Sequence, residues 1–229
     1  MNFLFLHGLA GSPDDWNKTG KEIEKYGHFW LAPEIPYLHG NYSTLTELSA
    51  VVRESIPDDF LGPGSIVVGN SLGGSMALQV GAESRLIVLV ASYTSTSTQW
   101  IGRGIDTLDR EIDRIFYDTK IIPLEKLQAY RTLWQSLTCD RRSFSRLKKI
   151  KLAIERSPLD HLYESLQEKI HAICGAQDKL SPLHNFLTLK NRFPEIALDT
   201  IENCGHAIPI EKPIELASIL NAKPGVAAC

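Results

Sequence analysis

The stretch Ile66-Val67-Val68-Gly69-Asn70-Ser71-Leu72-Gly73-Gly74 runs from an apolar strand into a cluster of glycines around one serine. Three readings compete for it. The glycines could let a helix pack tightly on a sheet, they could cradle a phosphate, or they could hold Ser71 in a strained turn. The spacing Gly69-x-Ser71-x-Gly73 is that of a nucleophile elbow, where a sharp strand-to-helix turn exposes the serine and the flanking glycines relieve crowding. A helix-compatible run, 75–80, follows, and its N-terminus would add amides and a positive dipole end. The phosphate reading is poorer, because neither a GxxxxGK loop nor GxGxxG is present. Helix packing alone stays open until the rest of the chain is read.

Working outward, short apolar runs bounded by turn residues recur at 3–6, 29–32, 66–68, 86–90, 170–173 and 196–201. Their alternation with helical patterns predicts an α/β fold whose mainly parallel sheet is buried on both faces. Ser12-Pro13-Asp14-Asp15 has the form of a helix start, with Trp16 expected to pack back on the sheet. The alternation breaks over 94–168, which holds charge-rich helical patterns at 107–116, 124–137, 143–154 and 159–169. That is too long for a loop, so we read a helical insertion over one end of the sheet, with 1–93 and 169–229 forming the core. A last helix is expected at 213–221, before a Pro/Gly/Ala tail.

With 229 residues, the chain fits one sizeable domain. Its 24 Lys+Arg against 27 Asp+Glu give no global field that points to nucleic acid or membrane. Four dispersed cysteines fit a reducing compartment, and MNFLFLHG is too short and too little basic for a signal peptide or a membrane span. A soluble, cytoplasmic protein is the expectation.

A serine nucleophile needs a base, and the imidazole needs an acceptor that fixes its tautomer. Asn203-Cys204-Gly205-His206-Ala207 stands directly after the last strand, and Gly175-Ala176-Gln177-Asp178 directly after the one before. Singly, Asp178 reads equally well as a turn aspartate and His206 as a loop histidine. Together the order Ser71, Asp178, His206, each at the carboxyl end of a strand, marks a catalytic triad. His7-Gly8-Leu9-Ala10-Gly11-Ser12, after the first strand, would supply the backbone N–H of Leu9, which with that of Leu72 makes a two-donor oxyanion hole. His7 itself reads as a structural residue pinning that loop.

Over nearly its whole length the chain resembles the α/β-hydrolase family, through the HGLAGS loop, Ala32-Pro33-Glu34-Ile35-Pro36, GNSLGG, GAQD and GHAIPIEKP. The resemblance implies Ser71 as nucleophile, His206 as base, Asp178 as orienting acid, and the Leu9 and Leu72 amides as oxyanion donors. The usual fold opens with two strands before the HG turn, and residues 3–6 leave no room for them. About six strands are therefore expected, with 29–32 at an edge. Among relatives, the short form with a helical cap looks most like pimeloyl-[acyl-carrier protein] methyl ester esterases and MenH-type synthases. Those synthases typically carry an arginine directly after SLGG, where this chain has Ser75. A carboxylic ester hydrolase is the first reading. The synthase, a thioesterase and a non-catalytic binding protein of the same fold are the alternatives.

Apolar candidates for an acyl pocket are Trp16, Leu38, Trp100, Phe116 and Trp134. Between 141 and 156 seven basic residues stand against one acid; Arg141, Arg142, Arg146 and Lys149 are candidates to dock an acidic acyl-carrier protein, the alternative being a solvated helix face. No cofactor is implied. The pair Cys204 and His206 is isolated, and the other histidines show no metal-ligand spacing.

Overall fold

The computed structural model describes residues 1–92, 108–138 and 141–222, without the side chains of 108–111, 136–138, 141–144 and 151. Trp100 and the tail 223–229 lie outside the described residues. Six strands form one sheet: β1 (Asn2–Leu6), β2 (Phe29–Leu31), β3 (Ser65–Asn70), β4 (Leu86–Val90), β5 (Ile170–Gly175) and β6 (Ala197–Ile201). Their order is β2-β1-β3-β4-β5-β6, and every neighbouring pair is parallel. Each apolar run read from the sequence becomes a strand, and β2 lies at an edge.

Period-two alternation explains the two layers. Leu4, Leu6, Val67 and Leu89 face one layer, which α2 (Leu45–Glu54), α3 (Leu72–Val80) and α8 (Leu183–Arg192) cover. Phe3, Phe5, Val68 and Val90 face the other, covered by α1 (Asn17–Glu24) and α10 (Pro213–Asn221). Trp16 joins that second layer, fully buried and stacked on Phe5 at 4.7 Å between centroids. Its indole is buried in the core and is not among the residues that line the cavity at Ser71.

The strand order also fixes where a site can form. From β1 the chain steps outward to β2, then returns to β3 on the opposite flank of β1. Right-handed crossovers run in opposite directions from this point, so their helices cover opposite faces and the loops after β1 and β3 diverge. A crevice opens there, at the carboxyl ends of the strands.

Between β4 and β5 lie α4 (Leu108–Ile115), α5 (Leu124–Thr138), α6 (Arg141–Glu155) and α7 (Asp160–Leu166). They follow the four helical patterns in the sequence, except that the last shortens as the chain tightens into a 3-10 turn at Gln167–Lys169. Helices α2 and α8 escaped the sequence reading. The start of α2 did carry a signal: in Thr44-x-x-Glu47 the Glu47 N–H donates to Thr44 Oγ1 (3.1 Å) and the Ser43 N–H to Glu47 Oε2 (2.6 Å).

Under the first loop, buried tyrosines form a hydrogen-bonded chain. Tyr42 donates to the Tyr37 carbonyl, and Tyr37 to the His7 carbonyl (2.8 Å). Burial raises Tyr42 to about 12 and Tyr37 well above its ordinary range; Tyr130, on α5, is raised by burial and then by Asp15. Titration of the folded protein by phenolate absorbance should therefore leave Tyr37, Tyr42 and Tyr130 un-ionised in the step near pH 10. A full seven-tyrosine step without unfolding would contradict this burial.

Candidate active site

Ser71 sits between β3 and α3 with φ 54° and ψ −122°, one of the few non-glycine residues at positive φ. Such a conformation costs about 1–3 kcal/mol and persists only where its surroundings enforce it. Here the Ser71 N–H donates to the Val90 carbonyl (2.9 Å), and the Ser71 carbonyl accepts from the Gly74 N–H and Ser92 Oγ (3.0 Å each). The flanking glycines serve close approach: a Cβ on Gly69 would overlap the Gly73 carbonyl, and one on Gly73 the Leu6 carbonyl. The elbow is thus pressed onto β1. A Cβ on Gly8 would stand 3.0 Å from Ser71 Cβ, so the backbone of the first loop lies directly against the serine.

That loop is held from behind. His7 Nε2 accepts the Ile35 N–H (3.0 Å), which places its proton on Nδ1, where it donates to the Gly8 carbonyl (3.0 Å). His7 is therefore neutral, and the Glu34 carboxylate 3.9 Å from Nε2 is no ion-pair partner. Asp15 holds the other end. Its Oδ2 accepts the Ser12 N–H (3.1 Å), Lys126 of α5 pairs with its Oδ1, and the Tyr130 hydroxyl lies 3.5 Å from Oδ2.

Asp178 and His206 meet in the turns after β5 and β6. Asp178 Oδ1 accepts the Leu180 and Ser181 N–H groups (2.8 Å each), and Oδ2 accepts His206 Nδ1 at 2.8 Å. The Asp178 side chain is fully buried. With the proton on Nδ1, Nε2 keeps a lone pair. The main chain of His206 is fixed too, its N–H donating to the Ile115 carbonyl (2.8 Å) and its carbonyl accepting from Asn70 Nδ2 (3.3 Å). Asn70, next to Ser71 and also bonded to the Val90 carbonyl (3.1 Å), thus links elbow and histidine loop. Nothing in the residue pattern points to that role beyond the place of Asn70 inside GNSLGG.

Ser71 and His206 line one cavity of about 50 Å³, with Gly8, Leu9, Tyr130 and Trp134 among its walls. Leu72 opens α3, where helix geometry leaves its N–H without an intrahelical partner. Of the expected acyl-pocket residues, Trp134 is on the cavity. Phe116 is buried behind it, edge-on to Tyr130 at 5.4 Å, and Leu38 packs on the main core. Neither lines the cavity among the described residues, because both are taken up by packing. Tyr130 takes a place at the wall that the sequence reading did not assign. On α6, Arg146 is exposed, but Lys149 turns inward, donating to the Gly40 carbonyl (2.8 Å) with its ammonium 4.7 Å from the Tyr42 ring centre. The side chains of Arg141 and Arg142 lie outside the described residues.

An open parallel sheet with its switch point at β1/β3, a strained serine after β3 and an Asp-His pair after β5 and β6 define a hydrolase architecture. The profile of the Alpha/beta hydrolase family matches residues 3–219, and the chain belongs to that family. A protein of Haemophilus influenzae named for 2-succinyl-6-hydroxy-2,4-cyclohexadiene-1-carboxylate synthase is 33% identical over 96 residues, a match that spans 38% of this chain and only 36% of that one. The pimeloyl-[acyl-carrier protein] methyl ester esterase of Aromatoleum aromaticum is 23% identical over 252 aligned positions, 96% of each chain. Among solved structures, 2-hydroxy-6-oxo-6-phenylhexa-2,4-dienoate hydrolase of Rhodococcus sp. strain RHA1 superposes with a TM-score of 0.71 at 18% identity, covering 96% of this chain and 89% of the other. That last likeness is one of fold. Among the described residues, no helix is long and apolar enough to cross a membrane.

Proposed function

We propose that the protein is a serine esterase that cleaves a carboxylic ester through an acyl-enzyme. The observation that carries this reading is the Asp178–His206 pair, its tautomer set by a saturated carboxylate, on the same cavity as the strained Ser71. In this reading Ser71 Oγ attacks the ester carbonyl while His206 Nε2 takes its proton. The carbonyl oxygen gathers negative charge against the N–H groups of Leu9 and Leu72. Collapse of the tetrahedral species expels the alkoxide, which His206 protonates. Water, activated by the same imidazole, then releases the acid and restores Ser71.

For the substrate we favour the methyl ester of a pimeloyl chain on acyl-carrier protein, with a role in biotin synthesis. A relative of that name aligns over 96% of both chains, and the basic run in α6 suits an acidic carrier. The synthase reading has a partial relative in its favour. Against it, Ser75 is fully buried in α3, so position 75 offers no side chain to a polycarboxylate.

The test compares carrier-bound methyl pimelate with p-nitrophenyl acyl esters. Joint reversal of Arg141, Arg142 and Arg146 to Glu should lower kcat/KM for the carrier substrate about tenfold or more at low salt. Small-ester turnover should stay unchanged. Equal losses on both substrates would rule out carrier docking at α6. Lys149 is left native, because its bonds to Gly40 and Tyr42 support the fold.

A further inference from the structure

The motif GHAIPIEKP contains a carboxylate that the chemistry above does not use. Glu211 closes the short helix α9 (Ile208–Glu211), is 7% exposed, and lies next to the histidine loop rather than on the cavity. Its two oxygens are divided between two distant parts of the chain. Oε1 accepts the Gly205 N–H (3.1 Å), immediately before His206, and Oε2 accepts the Tyr117 N–H (2.8 Å), two residues beyond α4. The same two segments are joined a second time, because the Ile115 carbonyl accepts the N–H groups of His206 (2.8 Å) and Ala207 (3.3 Å).

Contact between these segments is tight. A Cβ on Gly205 would stand 2.7 Å from the Tyr117 nitrogen, 2.8 Å from the Ile115 oxygen and 3.0 Å from Glu211 Oε1. The glycine before the histidine therefore does more than free the backbone; it admits the chain that follows α4. Burial pushes the Glu211 carboxyl above its ordinary range and the backbone N–H groups pull it back, so a cost of charge burial is sustained at this point.

We propose that Glu211 is a positioning residue for His206: by holding the Gly205 and Tyr117 amides on its two oxygens, it makes the seating of the segment after α4 and the placement of the imidazole a single event. The proposal rests on His206 being the base. The chemistry demands a carboxylate, because both oxygens accept from backbone donors. A glutamine of the same shape has one acceptor and would turn an NH2 group on one of the two N–H donors. Displacing the segment at 115–117 would free the His206 N–H, and displacing the histidine loop would free that segment.

Glu211→Gln tests this, read by ester turnover, by fluorophosphonate labelling of Ser71 and by amide hydrogen exchange. We expect kcat and the labelling rate to fall together by about ten- to a hundredfold, as for a slightly misplaced catalytic group, with KM within about twofold. The Gly205 and Tyr117 amides should exchange faster while those of β3 and β4 keep wild-type protection. Glu211→Asp, which restores two acceptors on a shorter arm, should recover part of the loss and serves if the glutamine variant fails to fold. Wild-type kcat and labelling in Glu211→Gln, even with faster exchange at Tyr117, would reduce the residue to a structural tie and overturn the proposal. His206→Ala in parallel separates the premises. Undiminished labelling there removes the base assignment itself, whereas slow His206→Ala with normal Glu211→Gln removes only the role given to Glu211.

Discussion

Replacing Ser71 with alanine is expected to lower kcat for small acyl esters by about 10⁵- to 10⁶-fold while leaving the protein folded. Alanine at φ 54° carries the same backbone strain as serine, and the bonds that enforce the conformation all run through the main chain of residue 71 or through Ser92. Thermal unfolding should therefore move little. Adduct formation with a fluorophosphonate should vanish at the same time. Turnover near the wild-type rate in the alanine variant would show that the cavity works without Ser71, and the esterase reading would fall with it.

Asp178→Asn should be nearly as damaging, for a reason the geometry makes specific. An amide at this position has one acceptor oxygen, and the Leu180 and Ser181 N–H groups both point at the site of Oδ1. They hold the amide oxygen there. The NH2 group then faces His206 Nδ1, where the carboxylate had been, and donates to it. The imidazole responds by moving its proton to Nε2, the atom that in the proposed mechanism accepts one from Ser71. At neutral pH a loss of about 10⁴-fold in kcat follows, with little change in substrate binding. Titration of His206 by NMR would report the inverted tautomer directly. An active asparagine variant with the proton still on Nδ1 would show that Asp178 does not orient the base.

The sheet and the candidate triad were readable from the sequence because both leave marks in residue type. Buried parallel strands are continuous apolar runs, and the turns that carry Ser71, Asp178 and His206 need glycines next to strand ends. What stayed hidden was work done by the backbone or by long side chains. Ile115 anchors His206 through its carbonyl, which any residue could supply. Glu211 passes for an ordinary acid near a helix start, and nothing local tells that its oxygens reach Gly205 and Tyr117. Lys149 counts as a surface charge in the sequence, yet its stem carries the ammonium to Gly40 and Tyr42. Trp16 packs on the sheet as its place after the helix start suggests, and its ring stacks on Phe5, a contact no local pattern specifies.

The bond from Asn70 to the His206 carbonyl spans 136 positions of sequence, and His206 belongs to the turn after β6. Elbow, first loop and insertion therefore all leave the ribosome before the imidazole that completes the cavity. In the proposed mechanism, a chain interrupted before His206 would expose the crevice without being able to hydrolyse what enters it.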